Sequence, residues 1–210
     1  VSAQSEAVTL GENKVKKITL LLLFLFSCTT YHSPSDPNHN WRRTHHEMYS
    51  GVVAITINKT LPHCSGVVIA PNLVLTAGHC VEPKLHNVLY ITYGCDDIRE
   101  VQCTHIPIMM SVPHPNHKED GPVWNDIALI RPLINITNIE PSELAVRFKT
   151  DSIIYTAGFG RRPGESGGIL YSGTSRINYS WLYEFETYLN GVNGPCAGDS
   201  GSPAFDSNGK

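Results

Sequence analysis

The amino-acid sequence predicts an all-β fold, and two observations support this prediction. Short apolar runs typical of strands recur along the chain, separated by turn signals such as Ala70-Pro71-Asn72. The 14 Pro and 17 Gly residues among 210 leave little room for long helices. The sequence has no internal repeat and no coiled-coil heptads. Short strands at close spacing indicate a β-sandwich or a β-barrel.

Six runs carry the strand pattern. In chain order they are residues 52–57, 67–69, 73–75, 88–93, 127–130 and 153–156. Residues 132–151 separate the last two runs and are interpreted as a connection between two lobes. Hydrophobic residues make up 41% of the chain and charged residues 17%, which is typical of a globular protein and argues against disorder. The length suits one domain or two small lobes.

The charge balance argues against a nucleic-acid partner. Lys and Arg total 16 against 19 Asp and Glu, so the net charge is −3, and no basic run is present. Binding to a phosphate backbone needs clustered positive charge. The sequence therefore predicts no nucleic-acid interface.

The amino-terminal part of the chain is typical of an export signal. A basic stretch at 14–17 precedes nine apolar residues at 18–26, a run too short to span a bilayer. We interpret residues 1–27 as a signal peptide with a spurious extension at its start, 28–48 as a polar tether and 49–210 as the folded domain. The LFSC string that ends at Cys28 resembles the bacterial lipoprotein cleavage box, which predicts lipidation of Cys28. A plain signal peptide is the alternative, and both place the protein outside the cytosol, lipid-anchored in the cell envelope or secreted.

Three short strings carry residue types that serve in nucleophilic catalysis. They are TAGHC at 76–80, NDIALI at 125–130 and CAGDSGSP at 196–203. Each string alone is ambiguous, but together they resemble the trypsin/chymotrypsin family of serine peptidases in its His, Asp, Ser chain order. The resemblance runs from about Gly51 to Lys210 and includes a Gly-aromatic-Gly turn at 158–160. It implies two six-stranded Greek-key β-barrels of the chymotrypsin type, the second incomplete in this chain.

The resemblance also implies a role for each of these residues. Ser200 is expected to be the nucleophile. A serine hydroxyl is a weak nucleophile at neutral pH and needs a base that takes its proton. His79 is expected to be that base, and Asp126 to fix its tautomer. The amides of Gly198 and Ser200 are expected to form the oxyanion hole.

The six cysteines are only partly explained by the sequence. The resemblance implies a disulfide between Cys64 and Cys80. Cys95 and Cys103 bracket a short stretch that a local disulfide could close, although this pair is not typical of the family. The family counterpart of Cys196 pairs with a cysteine beyond the nucleophile, and the partner of Cys196 in this sequence stays open.

Substrate preference is predicted from the position six residues before the nucleophile. Trypsin-like enzymes carry Asp there, whereas this sequence has Gly194, which favours an apolar or small residue at the cleavage position. The pair Arg161-Arg162 suggests an alternative preference for acidic groups. The family residue matching Asp199 pairs with a newly cleaved N-terminus, but no suitable sequence follows Arg43, so its partner stays open.

The sequence therefore predicts a serine endopeptidase that acts on protein or peptide substrates as a monomer and without a cofactor. Because the chain stops ten residues after Ser200, it is interpreted as C-terminally incomplete. The alternatives are a binding lipoprotein that uses a peptidase scaffold without turnover, and a truncated inactive product. No metal site is expected, because no set of His and Cys residues has zinc-site spacing.

Overall fold

The computed structural model describes residues 41–118, 125–145, 149–180, 185–187 and 195–209. These residues form eleven β-strands and three short 3₁₀ helices. The strands are β1 (Arg42–Arg43), β2 (Val52–Ile57), β3 (Leu61–Ala70), β4 (Leu73–Thr76), β5 (Leu89–Tyr93), β6 (Thr104–Pro113), β7 (Ala128–Pro132), β8 (Ile153–Gly158), β9 (Tyr171–Ser180), β10 (Phe185–Thr187) and β11 (Ala204–Phe205). The 3₁₀ helices are His46–Tyr49, Gly78–Val81 and Pro83–Val88. The predicted all-β class is confirmed.

The first lobe is a closed six-stranded antiparallel barrel with the strand order β2-β3-β4-β7-β6-β5. Consecutive hairpins join β2, β3 and β4, after which the chain crosses to the far side of β2 to begin β5. This is a Greek-key arrangement. Register shifts in β2, β3 and β6 mark bulges that let the strands bend around the barrel.

Strand β2 is buried on both of its faces, which accounts for its uninterrupted apolar run. Val53 and Ile55 point into the barrel, where they pack against residues such as Ile91 and Ile130. Val52 and Ala54, on the opposite face, belong to a second cluster that includes Phe159 of the other lobe. Side chains alternate across a strand, so a strand buried on both faces is apolar throughout. The same strand therefore holds the barrel core and the contact between lobes.

The second lobe contains an antiparallel sheet with the order β1-β9-β8-β11, and β10 also pairs with β9. Strand β8 pairs with β9 along its whole length, from Ile153 opposite Arg176 to Gly158 opposite Tyr171. Within the described ranges this sheet does not close into a barrel. None of the described segments forms a helix long and apolar enough to cross a membrane.

The folded chain begins earlier than composition indicated. Residues 41–44, which we interpreted as part of a polar tether, contact the second lobe. Trp41 is only 3% exposed and lies against Gly173, and Arg42 and Arg43 pair with β9. The composition of this segment did not indicate the contact, because Trp41 is its one buried hydrophobic residue and its neighbours are polar.

Two long strands were not among the predicted runs. Strand β6 contains Pro107, which lacks an N–H, and β9 contains Gly173 and several polar residues. Pro107 is accommodated opposite Tyr90, and its carbonyl accepts a hydrogen bond from the amide of Leu133 at 2.9 Å. Strands of this composition are recognisable only through their partners.

Candidate active site

The pairing of β4 with β7 brings the first two predicted site residues together. Thr76, the last residue of β4, lies opposite Ala128, the first residue of β7. His79 follows β4 by three positions, in a 3₁₀ helix, and Asp126 precedes β7 by two. Because the strands are antiparallel, both residues emerge at the same edge of the barrel.

His79 and Asp126 form two hydrogen bonds. The amide of His79 donates to Asp126 Oδ1 at 2.8 Å, and His79 Nδ1 lies 2.7 Å from Asp126 Oδ2. The His79 side chain is 45% exposed, whereas the Asp126 side chain is 24% exposed. The carboxylate therefore holds the imidazole by one nitrogen and leaves the other, Nε2, for a second partner.

The protonation behaviour of the pair follows from these contacts. The hydrogen bond that His79 donates to Asp126 raises the pKa of His79 above its ordinary value, against the opposing effect of burial. Burial acts to raise the pKa of Asp126, but its hydrogen bonds with the side chain and amide of His79 outweigh burial, and the pKa is lowered. Asp126 is thus a stable anion that favours a proton on the imidazole.

Ser200 lines the same cavity as His79 and Asp126, a cleft of about 550 Å³. No hydrogen bond between Ser200 and His79 is found within the described part of the chain. In enzymes without bound substrate such contacts are often long and shorten in the substrate complex. Among the described residues, no hydrogen bond is found from the amide of Gly198 or of Ser200.

Ser65, on β3, fixes the position of the loop that carries Ser200. The Ser65 amide donates to the Ser200 carbonyl at 2.8 Å, and its hydroxyl donates to the Gly198 carbonyl at 2.9 Å. The same hydroxyl accepts a hydrogen bond from the Phe159 amide at 2.9 Å. Ser65 is fully buried. Sequence reasoning missed this residue, and its one signal is a polar side chain within an apolar strand.

Glycines permit the close approach of this loop to the first barrel. Gly201 has φ +81°, and a Cβ at this position would collide with Thr76 Oγ1 and the Ser65 carbonyl. A side chain on Gly160 would collide with the carboxylate of Asp199. The Gly-aromatic-Gly turn at 158–160 is therefore in direct contact with the loop of Ser200.

Asp199 is paired inside the chain. Its carboxylate lies 2.7 Å from Arg162 Nη1, and the Asp199 and Arg162 side chains are 0% and 6% exposed. The sequence left the partner of Asp199 open, and it suggested the pair Arg161-Arg162 as groups that would favour acidic substrates. The second idea is wrong for Arg162, because its guanidinium is buried and already neutralised.

His117 is a second histidine beside Asp126 that sequence reasoning did not assign. Its Nδ1 lies 3.7 Å from Asp126 Oδ1, and its side chain is 6% exposed. Neither ring nitrogen has a hydrogen-bond partner among the described residues. The carboxylate of Asp126 is thus flanked by an imidazole on each side.

The cysteines near the site are oxidised. Cys64 pairs with Cys80, next to His79, and Cys95 pairs with Cys103. Cys64, Cys80 and His79 lie within metal-binding distance of one another, but sulfurs joined in a disulfide are not thiolate ligands. Cys196 is also disulfide-bonded.

Two of the predicted site residues, Cys28 and Gly194, lie outside the described residues.

Comparison with known proteins gives the family of this fold and site. The sequence model of the family described as Trypsin matches residues 40–210. The chain is 27% identical to mouse granzyme B(G,H) over 195 residues, which covers 87% of this chain and 77% of the granzyme. It is 30% identical over 118 residues to ovochymase of Halocynthia roretzi, which covers 51% of this chain but only 7% of ovochymase. The structure of mouse neuropsin, a serine protease, matches with a TM-score of 0.70 at 21% identity, over 80% of this chain and 82% of neuropsin.

These similarities define a protein with the fold of the chymotrypsin-like serine proteases. The chain belongs to the trypsin family, and protein or peptide substrates are typical of that family. The match begins at residue 40, in agreement with the packed segment around Trp41. The relatives named above are animal proteins and give no support to the bacterial lipoprotein that the string ending at Cys28 suggested.

Proposed function

We propose that the chain is a serine endopeptidase that hydrolyses peptide bonds through an acyl-enzyme on Ser200. One observation supports this most directly: the hydrogen-bonded pair of His79 and Asp126 faces the cleft that Ser200 lines. A neutral His79 accepts the Ser200 proton through Nε2 while the hydroxyl oxygen attacks the carbonyl carbon of the substrate. The resulting imidazolium is stabilised by Asp126.

The remaining steps follow from the same groups. The amides of Gly198 and Ser200 donate to the oxyanion of the tetrahedral intermediate. His79 then gives its proton to the leaving amine, and the acyl group stays on Ser200. Water attacks this ester with His79 again as base, which releases the carboxylic acid and restores the hydroxyl. No step needs a cofactor.

The proposal is tested with a fluorophosphonate probe, which reacts with activated serines. We expect it to label the protein on Ser200 and to leave the Ser200→Ala variant unlabelled. Asp126→Asn should slow the reaction by about 10⁴-fold, because the imidazole loses the partner that fixes its tautomer. Equal labelling of the parent protein and Ser200→Ala would contradict the assignment. No labelling of the parent would favour the non-catalytic binding scaffold or an inactive product.

We further propose that the enzyme prefers a small or apolar residue at the cleavage position. Gly194 supports this, since it has no charge to pair with Lys or Arg. A peptide series that varies this one residue measures the preference. Gly194→Asp should raise the relative rate for Lys and Arg, and a parent enzyme that already favours Lys or Arg would contradict the proposal.

Export is proposed from the segment at 14–28 and from the disulfides, which persist in oxidising compartments. Lipid on Cys28 is a separate proposal that rests on its sequence pattern alone. A lipidated Cys28 carries a thioether and has no free thiol to form a disulfide. Cys196 is disulfide-bonded, so the cysteine to which it is joined bears on whether Cys28 can carry lipid. Non-reducing peptide mapping separates the two states: a lipid-modified Cys28 peptide supports anchoring, and a Cys28 peptide joined to Cys196 excludes it.

A further inference from the structure

The carboxylate of Asp199 is satisfied entirely by groups of its own chain. Oδ1 accepts a hydrogen bond from the Gly160 amide at 2.8 Å. Oδ2 accepts from the Cys196 amide at 2.9 Å and from Arg162 Nη1 at 2.7 Å. A buried carboxylate is costly unless a positive charge and hydrogen bonds compensate it, and here both are present.

The guanidinium of Arg162 is held in place by aromatic rings. Its central carbon lies 4.3 Å from the ring centroid of Trp41 and 4.9 Å from that of Tyr171. Trp41 directly precedes β1, and Tyr171 begins β9. The faces of aromatic rings attract cations, so these contacts stabilise the charge and keep water away from the ion pair.

Asp199 lies between Gly198 and Ser200, the two residues whose amides are proposed to form the oxyanion hole, and Ser200 lines the cleft. Its bonds to Cys196 and Gly160 fix both the start of this loop and the neighbouring turn at 158–160. A displaced Asp199 side chain would release both amides and change the path of the loop. The charge that holds Asp199 therefore acts on the geometry around Ser200.

We propose that Arg162 supplies, from within the chain, the positive charge that keeps the Ser200 loop in its reactive shape, so that reactivity needs no newly cleaved N-terminal amine. This inference rests on the proposed function, in which the amides of Gly198 and Ser200 stabilise an oxyanion. Arg162 is a positioning residue, since it acts through Asp199.

The segment that precedes β2 agrees with this assignment. A cut after Arg43 would make Thr44 the new N-terminus, but the Thr44 amide donates to the Leu170 carbonyl at 3.2 Å and Thr44 is 9% exposed. The chain before the cut supplies Trp41, which covers Arg162. Uncut chain is thus part of the wall around the ion pair.

A guanidinium and an amine differ in their response to alkaline pH. A terminal amine loses its proton near pH 8, whereas a guanidinium stays charged through the range in which enzymes are assayed. Among the described residues, the titratable Tyr171 packs on Arg162, and Glu165 and Arg43 interact with Tyr171. Burial raises the pKa of Tyr171, and the phenol donates to Glu165 at 2.9 Å. The pair should therefore stay intact from about pH 8 to about pH 10.

The experiment measures the rate of fluorophosphonate labelling on the full chain with an uncleavable amino-terminal tag. Intact mass establishes that the chain is uncut between Arg43 and Thr44. We expect the tagged protein to react, with a rate that does not fall between about pH 8 and about pH 10. Arg162→Met should lower the rate by about 100-fold, as loss of an oxyanion donor does. The matched control is Arg161→Met, whose side chain is exposed and whose rate should be unchanged.

Arg162→Lys separates a charge effect from a packing effect. This variant should keep most of the rate at neutral pH but lose it in the alkaline range, because a buried lysine titrates below its ordinary pKa of about 10.4. If Arg162 acted only through packing, the labelling rate of Arg162→Lys would show no new loss at alkaline pH. A tagged protein that becomes reactive only after proteolytic trimming would overturn the proposal.

Amide hydrogen exchange tests the same inference without catalysis. Exchange across residues 196–202 should rise in Arg162→Met and stay at the parent level in Arg161→Met. Unchanged exchange in Arg162→Met would refute the positioning role whether or not Ser200 reacts. A parent protein that does not label but shows the expected exchange would refute the proposed function alone.

Discussion

The imidazole of His79 is subject to two opposing effects on its proton affinity. The hydrogen bond that the imidazole donates to Asp126 raises the pKa of His79, and partial burial lowers it, with the hydrogen bond the stronger effect. Since the folded-state pKa is raised, this contact stabilises the folded protein below the ordinary pKa of 6.5, and that stabilisation is lost as the pH rises through the folded value. Catalysis has the reverse requirement, because a base must be neutral to accept a proton.

The labelling rate of Ser200 should therefore rise with pH through a midpoint above 6.5. In Asp126→Asn the pKa of His79 should fall, because burial then acts without the compensating hydrogen bond. NMR titration of the His79 ring measures both values directly. His105→Gln, a histidine on β6 outside the cleft, is the control and should leave the midpoint unchanged. A parent midpoint below 6.5 would contradict this account of the pair.

Gly201 tests the close contact between the Ser200 loop and the barrel. Gly201→Ala should destabilise the protein and abolish labelling, because its Cβ would overlap Thr76 and the Ser65 carbonyl. Gly164→Ala is a matched control: its φ is +79°, close to the +81° of Gly201, but no atom lies within 4 Å of its added Cβ. Urea unfolding should show a loss of about 1 kcal/mol for Gly164→Ala and a clearly larger loss for Gly201→Ala. Equal losses would mean that backbone strain alone, not the contact, requires glycine.

At the scale of elements, strand β3 connects the first barrel to the Ser200 loop and to the second lobe. The Ser65 hydroxyl joins Gly198 to Phe159, residues far apart in the sequence. The barrel thus serves as the rigid support on which the loop is placed, and a polar group in the strand is as important here as its apolar neighbours.

Ser65→Ala should lower the free energy of unfolding by about 1–3 kcal/mol, because the buried amide of Phe159 loses its acceptor. Labelling of Ser200 should slow as well, since the Gly198 carbonyl is no longer held. Chemical denaturation and the fluorophosphonate rate are the two measurements. Ser207→Ala, at an exposed serine, should stay within about 0.5 kcal/mol of the parent. A Ser65→Ala variant as stable as this control would show that the hydroxyl contributes little.

Sequence reasoning predicted the elements unequally, for physical reasons. Strands β2, β4, β5, β7 and β8 and residues 67–69 of β3 were recognisable because their apolar runs are buried by the barrel or between the lobes. Strands β6 and β9 were not, because proline, glycine and polar residues conceal the pattern. The three site strings located His79, Asp126 and Ser200, whereas Ser65 and Arg162 could not be predicted, since their importance depends on contacts between distant parts of the chain.

At the scale of the whole molecule, two disulfides tie loops to the two lobes. The Cys64–Cys80 bond joins β3 to the 3₁₀ helix that carries His79, and the Cys95–Cys103 bond closes the segment between β5 and β6. The segment between β5 and β6 contacts the second lobe, since the Ile98 amide donates to the Gly168 carbonyl at 2.9 Å. The two bonds should therefore affect stability alike but reactivity differently.

Replacing Cys64 and Cys80 together by alanine should cost about 3 kcal/mol of unfolding free energy and slow the labelling of Ser200, because His79 is released. The double alanine variant of Cys95 and Cys103 should cost about 2–3 kcal/mol but leave the labelling rate of the folded fraction unchanged. Denaturation curves and rates on both variants test this difference. Equal slowing in both variants would mean that the Cys64–Cys80 bond has no specific effect on His79.

In the proposed mechanism, Ser200 becomes covalently acylated during turnover. Rapid mixing of the protein with an activated ester, followed by acid quenching and mass spectrometry of its peptides, tests it most directly. We expect an acyl group on Ser200 that accumulates in a burst and is absent from Ser200→Ala and His79→Ala. Hydrolysis of the ester with no adduct on Ser200 would contradict the acyl-enzyme mechanism. So would an adduct that forms in Ser200→Ala as fast as in the parent protein.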